Sequence, residues 1–309
     1  MNQFHNILFV SHGIKDEMET LQLVLRLAFE NKAELRILII CPPFPDTLSE
    51  YKPSYEAFLI DKMNKTIQSA KSDFTLKDIP IQIEANCTSR PDIQIIRYVL
   101  QNSHDLLIKE AETPEGKGFK ALDMALLRKC PCATLLHRPL KHAQQNIRIA
   151  VAIDPKDEEP ATQNLSLRLL EFAHSMSSFY KTKLHIISCW DFVLENYFRD
   201  SGWIKIPEAE ITKMVAQEKF SHGLLLRDLI KRSQISGEYQ IEISRGQPEE
   251  LIPSIIAQKK FDILVMGTLA RTGILGFIIG NTAENILQKI SCSLLALKPP
   301  GFVSPVKAY

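Results

Sequence analysis

The chain reads as an α/β protein of two tandem domains, each a five-stranded parallel sheet covered by helices on both faces. Three observations predict it. The sequence repeats itself: Leu135-Leu136-His137-Arg138-Pro139 corresponds to Leu295-Ala296-Leu297-Lys298-Pro299 at an offset of 160. Each copy alternates short apolar runs with stretches of helical periodicity, the pattern of a parallel sheet with crossover helices. Finally, the run Val265-Met266-Gly267 leads through a glycine-bearing loop to a helix start at Ile279-Gly280-Asn281. A loop of this kind turns backbone N–H groups and the positive end of a helix dipole toward an anion.

The second copy shows its elements in order. Ile147 to Ile153 is a short apolar run rich in β-branched residues and predicts the first strand. Leu165, Leu169, Phe172, Ala173 and Met176 then recur at helical spacing. Leu184 to Cys189 predicts the second strand. Ile211, Met214, Val215, Leu225, Leu226 and Leu229 outline a long amphipathic helix. Tyr239 to Ile243 alternates as a strand does, and Leu251 to Ile256 opens another helix. Ile263 to Met266 and Leu294 to Leu297 complete five strands, with a helix from about Asn281 between them. In the first copy, Ile7 to Val10 parallels Ile149 to Ala152, and Asp105-Leu106-Leu107-Ile108 parallels Asp262-Ile263-Leu264-Val265. The junction falls near 141–146, giving domains over residues 1–142 and 146–309. The last strands, Thr134 to Leu136 and Leu294 to Leu297, would gain by being paired, since unpaired strand edges are prone to aggregation.

Composition narrows the function classes. Lys plus Arg is 37 and Asp plus Glu 36, evenly divided between the halves, so no basic face offers itself to nucleic acid. Met1-Asn2-Gln3-Phe4-His5 lacks a basic n-region and a long apolar h-region, and no apolar run approaches the ~20 residues that span a bilayer. A cytoplasmic protein without membrane attachment is expected. The six cysteines, at 41, 87, 130, 132, 189 and 292, sit in or beside apolar runs and predict reduced, buried thiols. Cys130-Pro131-Cys132 leaves a redox or metal pair open, although no second Cys/His cluster completes a metal site.

Met266-Gly267-Thr268 through Gly280-Asn281-Thr282-Ala283-Glu284 resembles the binding signature of the universal stress protein family, and the likeness, of the tandem-domain kind, extends over essentially the whole chain. That signature is Gly, two residues, Gly, nine residues, then Gly followed by Ser or Thr. Gly267 and Gly280 stand at the right separation. Ala270 replaces the middle glycine, and Asn281 takes the hydroxyl position. The resemblance implies that Asp154 contacts a nucleoside and that Cys189 faces adenine. It also implies that Gly267, Gly280, Asn281 and Thr282 cradle phosphates, with Arg271 neutralising charge, as they would for ATP. No metal is called for. The same resemblance implies a role in survival under stress.

The residues admit a ligand-free reading too. Asn281 with Glu284 three positions on forms a capping box, and the glycines satisfy positive φ or tight packing. Ala270 weighs on the ligand: an alanine in a left-handed conformation costs roughly 1–2 kcal/mol, and a loss of about 2 kcal/mol weakens binding some thirtyfold. In the first domain the first strand ends in Ser11-His12-Gly13 without the aspartate. Glu110 replaces the loop glycine and Lys120 the glycine at 280, so that domain is expected to bind no anion.

A second feature points to apolar ligands or protein partners. Trp190, Phe192, Tyr197, Phe198 and Trp203 cluster after the second strand of the second domain, and Cys41 to Phe44, Tyr55 and Phe58 form a related insert in the first. Such segments overhang the strand ends, where pockets form, or simply cover the sheet edge. Catalysis is not expected. No phosphate-loop lysine, Gly-x-Ser-x-Gly elbow or His-Glu-x-x-His helix occurs, and adjacent Ser11 and His12 point to opposite sides of an extended chain. Two classes stay open: a ligand-responsive binding module without turnover, and an interaction scaffold that needs no ligand. Both build on an intramolecular pseudo-dimer and leave further pairing of chains open.

Overall fold

The computed structural model describes residues 3–72, 79–112, 115–143, 146–156, 160–200, 205–268 and 279–309. In the first half, β1 (Asn6–Ser11), α1 (Met18–Asn31), β2 (Glu34–Cys41), α2 (Lys52–Ser72), β3 (Ile81–Cys87), α3 (Pro91–Asn102), β4 (Leu106–Glu110), α4 (Ala121–Lys129) and β5 (Ala133–His137) follow in order, with a short 3-10 turn before α2. The second half repeats the scheme with β6 (Ile149–Ala152), α5 (Pro160–Tyr180), β7 (Leu184–Trp190), α6 (Leu194–Asp200), α7 (Glu208–Arg232), β8 (Tyr239–Arg245), α8 (Pro248–Gln258), β9 (Ile263–Gly267), α9 (Asn281–Lys289) and β10 (Ser293–Leu297). The short helix α6 falls in the aromatic segment, where no helical periodicity announced it.

All ten strands form one sheet, in the order β3-β2-β1-β4-β5-β10-β9-β6-β7-β8. Within each half the strands are parallel, and β10 runs antiparallel to β5 with Leu294 opposite Leu136 and Ala296 opposite Thr134. Both halves therefore have the same doubly wound order, which reverses direction between β1 and β4 and again between β6 and β9. Crevices for ligands open beyond the carboxyl ends of strands at such reversals.

The repeat extends to backbone punctuation. Lys32 after α1 and Lys181 after α5 both take left-handed φ, as do Ser103 after α3 and Lys260 after α8. Asp105 and Asp262, equivalent in sequence, tie down the starts of β1 and β6. Asp105 accepts from the N–H groups of His5 and Asn6 at 2.6 and 3.1 Å, and Asp262 from those of Lys141 and Arg148 at 3.0 and 2.9 Å.

One continuous core lies under α1, α2, α5 and α7, joined across the halves by Phe4 and Phe172 with ring centroids 4.9 Å apart. On the other face one core lies under α3 and α4, and a second under α8 and α9 also takes in Met124 and Leu127 of α4. Leu225, expected in the core face of the long helix, is instead 46% exposed, and His222 takes a fully buried place on α7. Two of the cysteines depart from the expected reduced state: Cys41 and Cys87 form a disulfide. They are 46 residues apart in sequence, but the register of β2 with β3 sets them directly opposite, with Cα atoms 4.4 Å apart. The last pair of the equivalent β7–β8 ladder is Trp190 and Arg245, whose guanidinium lies over the indole at 5.5 Å.

Candidate functional site

The candidate site lies at the carboxyl ends of β6, β7 and β9, where α9 begins. Val151 pairs with Val265, so β6 and β9 deliver Asp154 and Gly267 to the same end of neighbouring strands. Asp154 Oδ1 accepts the N–H of Lys156 at 3.1 Å, which folds the chain back after β6. Cys189 is half-buried on β7, and burial pushes its thiol up to about 11. At neutral pH it is therefore a protonated thiol that offers a small apolar surface.

Met266 and Gly267 serve packing. Met266 is buried in the core beneath α8 and α9. A side chain on Gly267 would meet Leu165 Cδ2 at 2.9 Å, so the glycine lets α5 settle against the sheet. Thr268 is fully buried. Its carbonyl accepts the N–H of Gly280 at 3.2 Å, and its hydroxyl accepts from Lys298 Nζ at 2.7 Å. Ala270 and Arg271 lie outside the described residues.

The capping box expected at Asn281 and Glu284 does not form. Gly280 is the N-cap, with φ −60° and ψ 142°, and Glu284 reaches away to Arg128 on α4 at 2.5 Å. Asn281 and Thr282 are exposed in the first turn of α9. Among the described residues, no side chain accepts from the N–H groups of Asn281, Thr282 or Ala283. Those first donors are the ones a helix cannot satisfy itself.

The first half resolves the same corner differently. Glu112 carboxylate accepts from the N–H groups of Leu122 and Asp123 at 2.8 and 3.2 Å, so the start of α4 is capped by the chain's own anion. Glu110, expected to stand where a phosphate would sit, turns aside: Thr20 donates to it at 3.2 Å. The single hydroxyl proton of Thr20 being spent there, His137 Nδ1–H donates to Thr20 Oγ1 at 2.9 Å. Burial holds His137 at about 4, hence neutral.

Ser11 donates to Glu17 at 2.5 Å and accepts from the N–H of Gly13 at 2.9 Å, which takes Ser11 out of any dyad with His12. Burial raises the Glu17 carboxyl and lowers His12 to about 4. What remains open is a cavity of 20 Å³ lined by Ser11, Lys15 and Glu17, room for about one water. His222, on α7, interacts through Nε2 with Ser188 Oγ at 2.8 Å, and that hydroxyl donates to the Ile153 carbonyl at 2.8 Å. With its proton on a carbonyl, Ser188 is no nucleophile.

In the aromatic segment, Trp190 is buried and Phe192 lies tilted against Phe198 with ring centroids 6.1 Å apart, while Tyr197 is exposed; Trp203 lies outside the described residues. Sequence reasoning missed Glu112, Lys298 and the Trp190–Arg245 pair. Only Lys298 left a signal, as the repeat partner of Arg138. No group of three or more potential metal ligands occurs among the described residues, nor any helix long and apolar enough to cross a membrane.

The doubly wound order, repeated across one sheet, defines a tandem α/β protein with its crevices at the strand reversals. Residues 147–298 match the profile of the Universal stress protein family, and over its whole length the chain is similar to tandem proteins of that family. It is similar to Universal stress protein E of Photorhabdus laumondii, 25% identical over 321 aligned residues that cover 100% of this chain and 99% of the relative. Universal stress protein E of Escherichia coli K12 is 29% identical over 236 residues, 74% of this chain and 72% of that protein. The fold matches the crystal structure of a functionally unknown protein from Pseudomonas aeruginosa PAO1 with a TM-score of 0.72, 20% identity and coverage of 96% and 94%. The family places the chain in the response to stress.

Proposed function

We propose that the second half is a binding module for an anionic small molecule, an adenine nucleotide such as ATP in the first instance, and that the first half is its structural partner. One contrast carries this reading. Glu112 occupies the start of α4, whereas among the described residues no side chain caps the equivalent start of α9. An uncapped helix start at a strand reversal attracts a phosphate. The donors assigned to the phosphate are the N–H groups of Asn281, Thr282 and Ala283. Gly280 N–H already serves Thr268, and Asp154 faces the ribose side. The module acts without turnover in the cytoplasm, through the ligand it senses.

Calorimetric titration of the full chain with ATP tests it. Binding at high micromolar to millimolar ligand is expected, tightened about tenfold or more by Ala270→Gly, since about 1.4 kcal/mol is one decade. No heat at millimolar ATP in either protein sinks the nucleotide. A ligand-independent scaffold is the second reading, favoured by Phe220, Leu224 and Leu225, all exposed on α7. Crosslinked partners that persist unchanged with and without nucleotide would favour it.

A further inference from the structure

Lys298 is a buried cation whose ammonium lies over the Phe302 ring, 5.1 Å from its centroid. It is 6% exposed, and its ammonium donates to the carbonyl of Leu127 in α4 and to Thr268 Oγ1. Among the described residues no carboxylate pairs with it. A buried charge without a counter-ion is costly. Cys130, fully buried at the end of α4, interacts electrostatically with Lys298 across the seam between the halves. Cys130 Sγ lies 3.5 Å from Sγ of Cys132, which is partly exposed.

Packing does not require sulfur at Cys130. The equivalent position in the second half is Ile290, equally buried. Nor does Lys298 copy its own repeat partner. Arg138 turns to the carbonyls of Gly116 and Gly118 in its own half, while Lys298 reaches across to the other.

We propose that Cys130 and Cys132 form a reversible dithiol–disulfide site, oxidised by hydrogen peroxide, in which Lys298 from the other half holds the thiolate. The hydrogen bond from Cys132 and the Lys298 charge lower the Cys130 thiol, and burial draws Lys298 down to about 8. The exposed sulfur reacts first. The proton shared across the contact passes to Cys130 as Cys132 attacks one peroxide oxygen. The O–O bond breaks, hydroxide leaves and takes up a proton, and Cys132 becomes a sulfenic acid. Cys130 sulfur then displaces the hydroxyl from Cys132, and its own proton leaves with that oxygen as water. Two thiols and one peroxide give one disulfide and two waters. Oxidation deprives Lys298 of its anion, and because Lys298 holds the Thr268 hydroxyl, the change is felt where the loop after β9 begins.

The test maps thiols in the full chain after brief exposure to equimolar peroxide. Tryptic peptide 130–141 contains both cysteines and no others. It is expected to lose two hydrogens and resist alkylation, and dithiothreitol restores both. Lys298→Met is expected to slow this at least tenfold at neutral pH. In Cys130→Ser, dimedone is expected to trap a sulfenic acid at Cys132. Should Lys298→Met fail to fold by circular dichroism, the trap in Cys130→Ser decides. The proposal is overturned if peptide 130–141 stays fully alkylatable while glutathione in the same tube is oxidised. It is equally overturned if no dimedone adduct forms, or if a folded Lys298→Met oxidises at the wild-type rate.

Discussion

Lys109 and Asp123 lie 2.9 Å apart with no exposed surface, where the second half has Met266 and Ala283. The repeat thus supplies an apolar version of the same contact inside one molecule. Removing one member of a buried pair strands the other charge and costs about 3–5 kcal/mol, whereas replacing both with apolar groups is often neutral. Lys109→Met is therefore expected to lower the urea midpoint sharply. Lys109→Met with Asp123→Ala is expected to recover most of the loss; a double variant as unstable as the single one refutes the argument. His137 makes stability depend on pH. Its folded pKa, about 4, lies below the unfolded 6.5, so the unfolded chain binds the proton first and stability falls as pH drops through that window. At pH 5 the loss from this residue alone is about 2 kcal/mol. Glu17 acts in the opposite sense: its carboxyl is raised by burial, and its contribution fades as pH rises above the ordinary carboxylate value. His12 and His104, also lowered to about 4 by burial, act in the same sense, so a thermal midpoint that rises from pH 7 to pH 5 would contradict the argument. Replacing His137 with Asn should make the slope shallower by the share of that one residue.

At the scale of elements, α4 and α9 show how one helix start becomes two different things. Glu112 leaves the loop after β4 to cap α4, which the sequence did not advertise, because capping patterns are read within three residues and Glu112 acts from 10 residues away. The same limit hid the other side: Asn281 and Glu284 match a capping box, yet Arg128 on α4 draws Glu284 across the seam. Strands and long helices were legible because their apolar spacing is local; α5 and α7 fall where Leu165 to Met176 and Ile211 to Leu229 place them. The Cys41–Cys87 bond was not, since register between distant strands leaves no mark on either alone. Glu112→Gln is expected to cost about 1 kcal/mol by weakening a charged cap, read as a small shift of the denaturation midpoint. A shift of several kcal/mol would mean that Glu112 holds more than the helix start.

The whole molecule depends on the seam. β5 and β10 pair antiparallel through Thr134, Leu135 and Leu136, turning two parallel half-sheets into one ten-stranded sheet with no edge at its middle. Around that ladder, Arg138 N–H donates to Ser293 Oγ at 2.9 Å, Gly118 N–H to the Ile290 carbonyl at 2.9 Å, and Arg128 pairs with Glu284. The core under α1 and α5 also runs across it, through Phe4 and Phe172. Contacts this numerous, shared by both halves, couple their unfolding, so the intact chain is expected to melt in one transition. Leu136→Asp sets an uncompensated charge at a fully buried seam position, where burying it costs several kcal/mol. Calorimetry of that variant is expected to show two separated transitions, the second half melting near its original temperature and the first earlier. Two transitions already present in the wild type would mean that the halves fold independently, and that the seam joins them without coupling them.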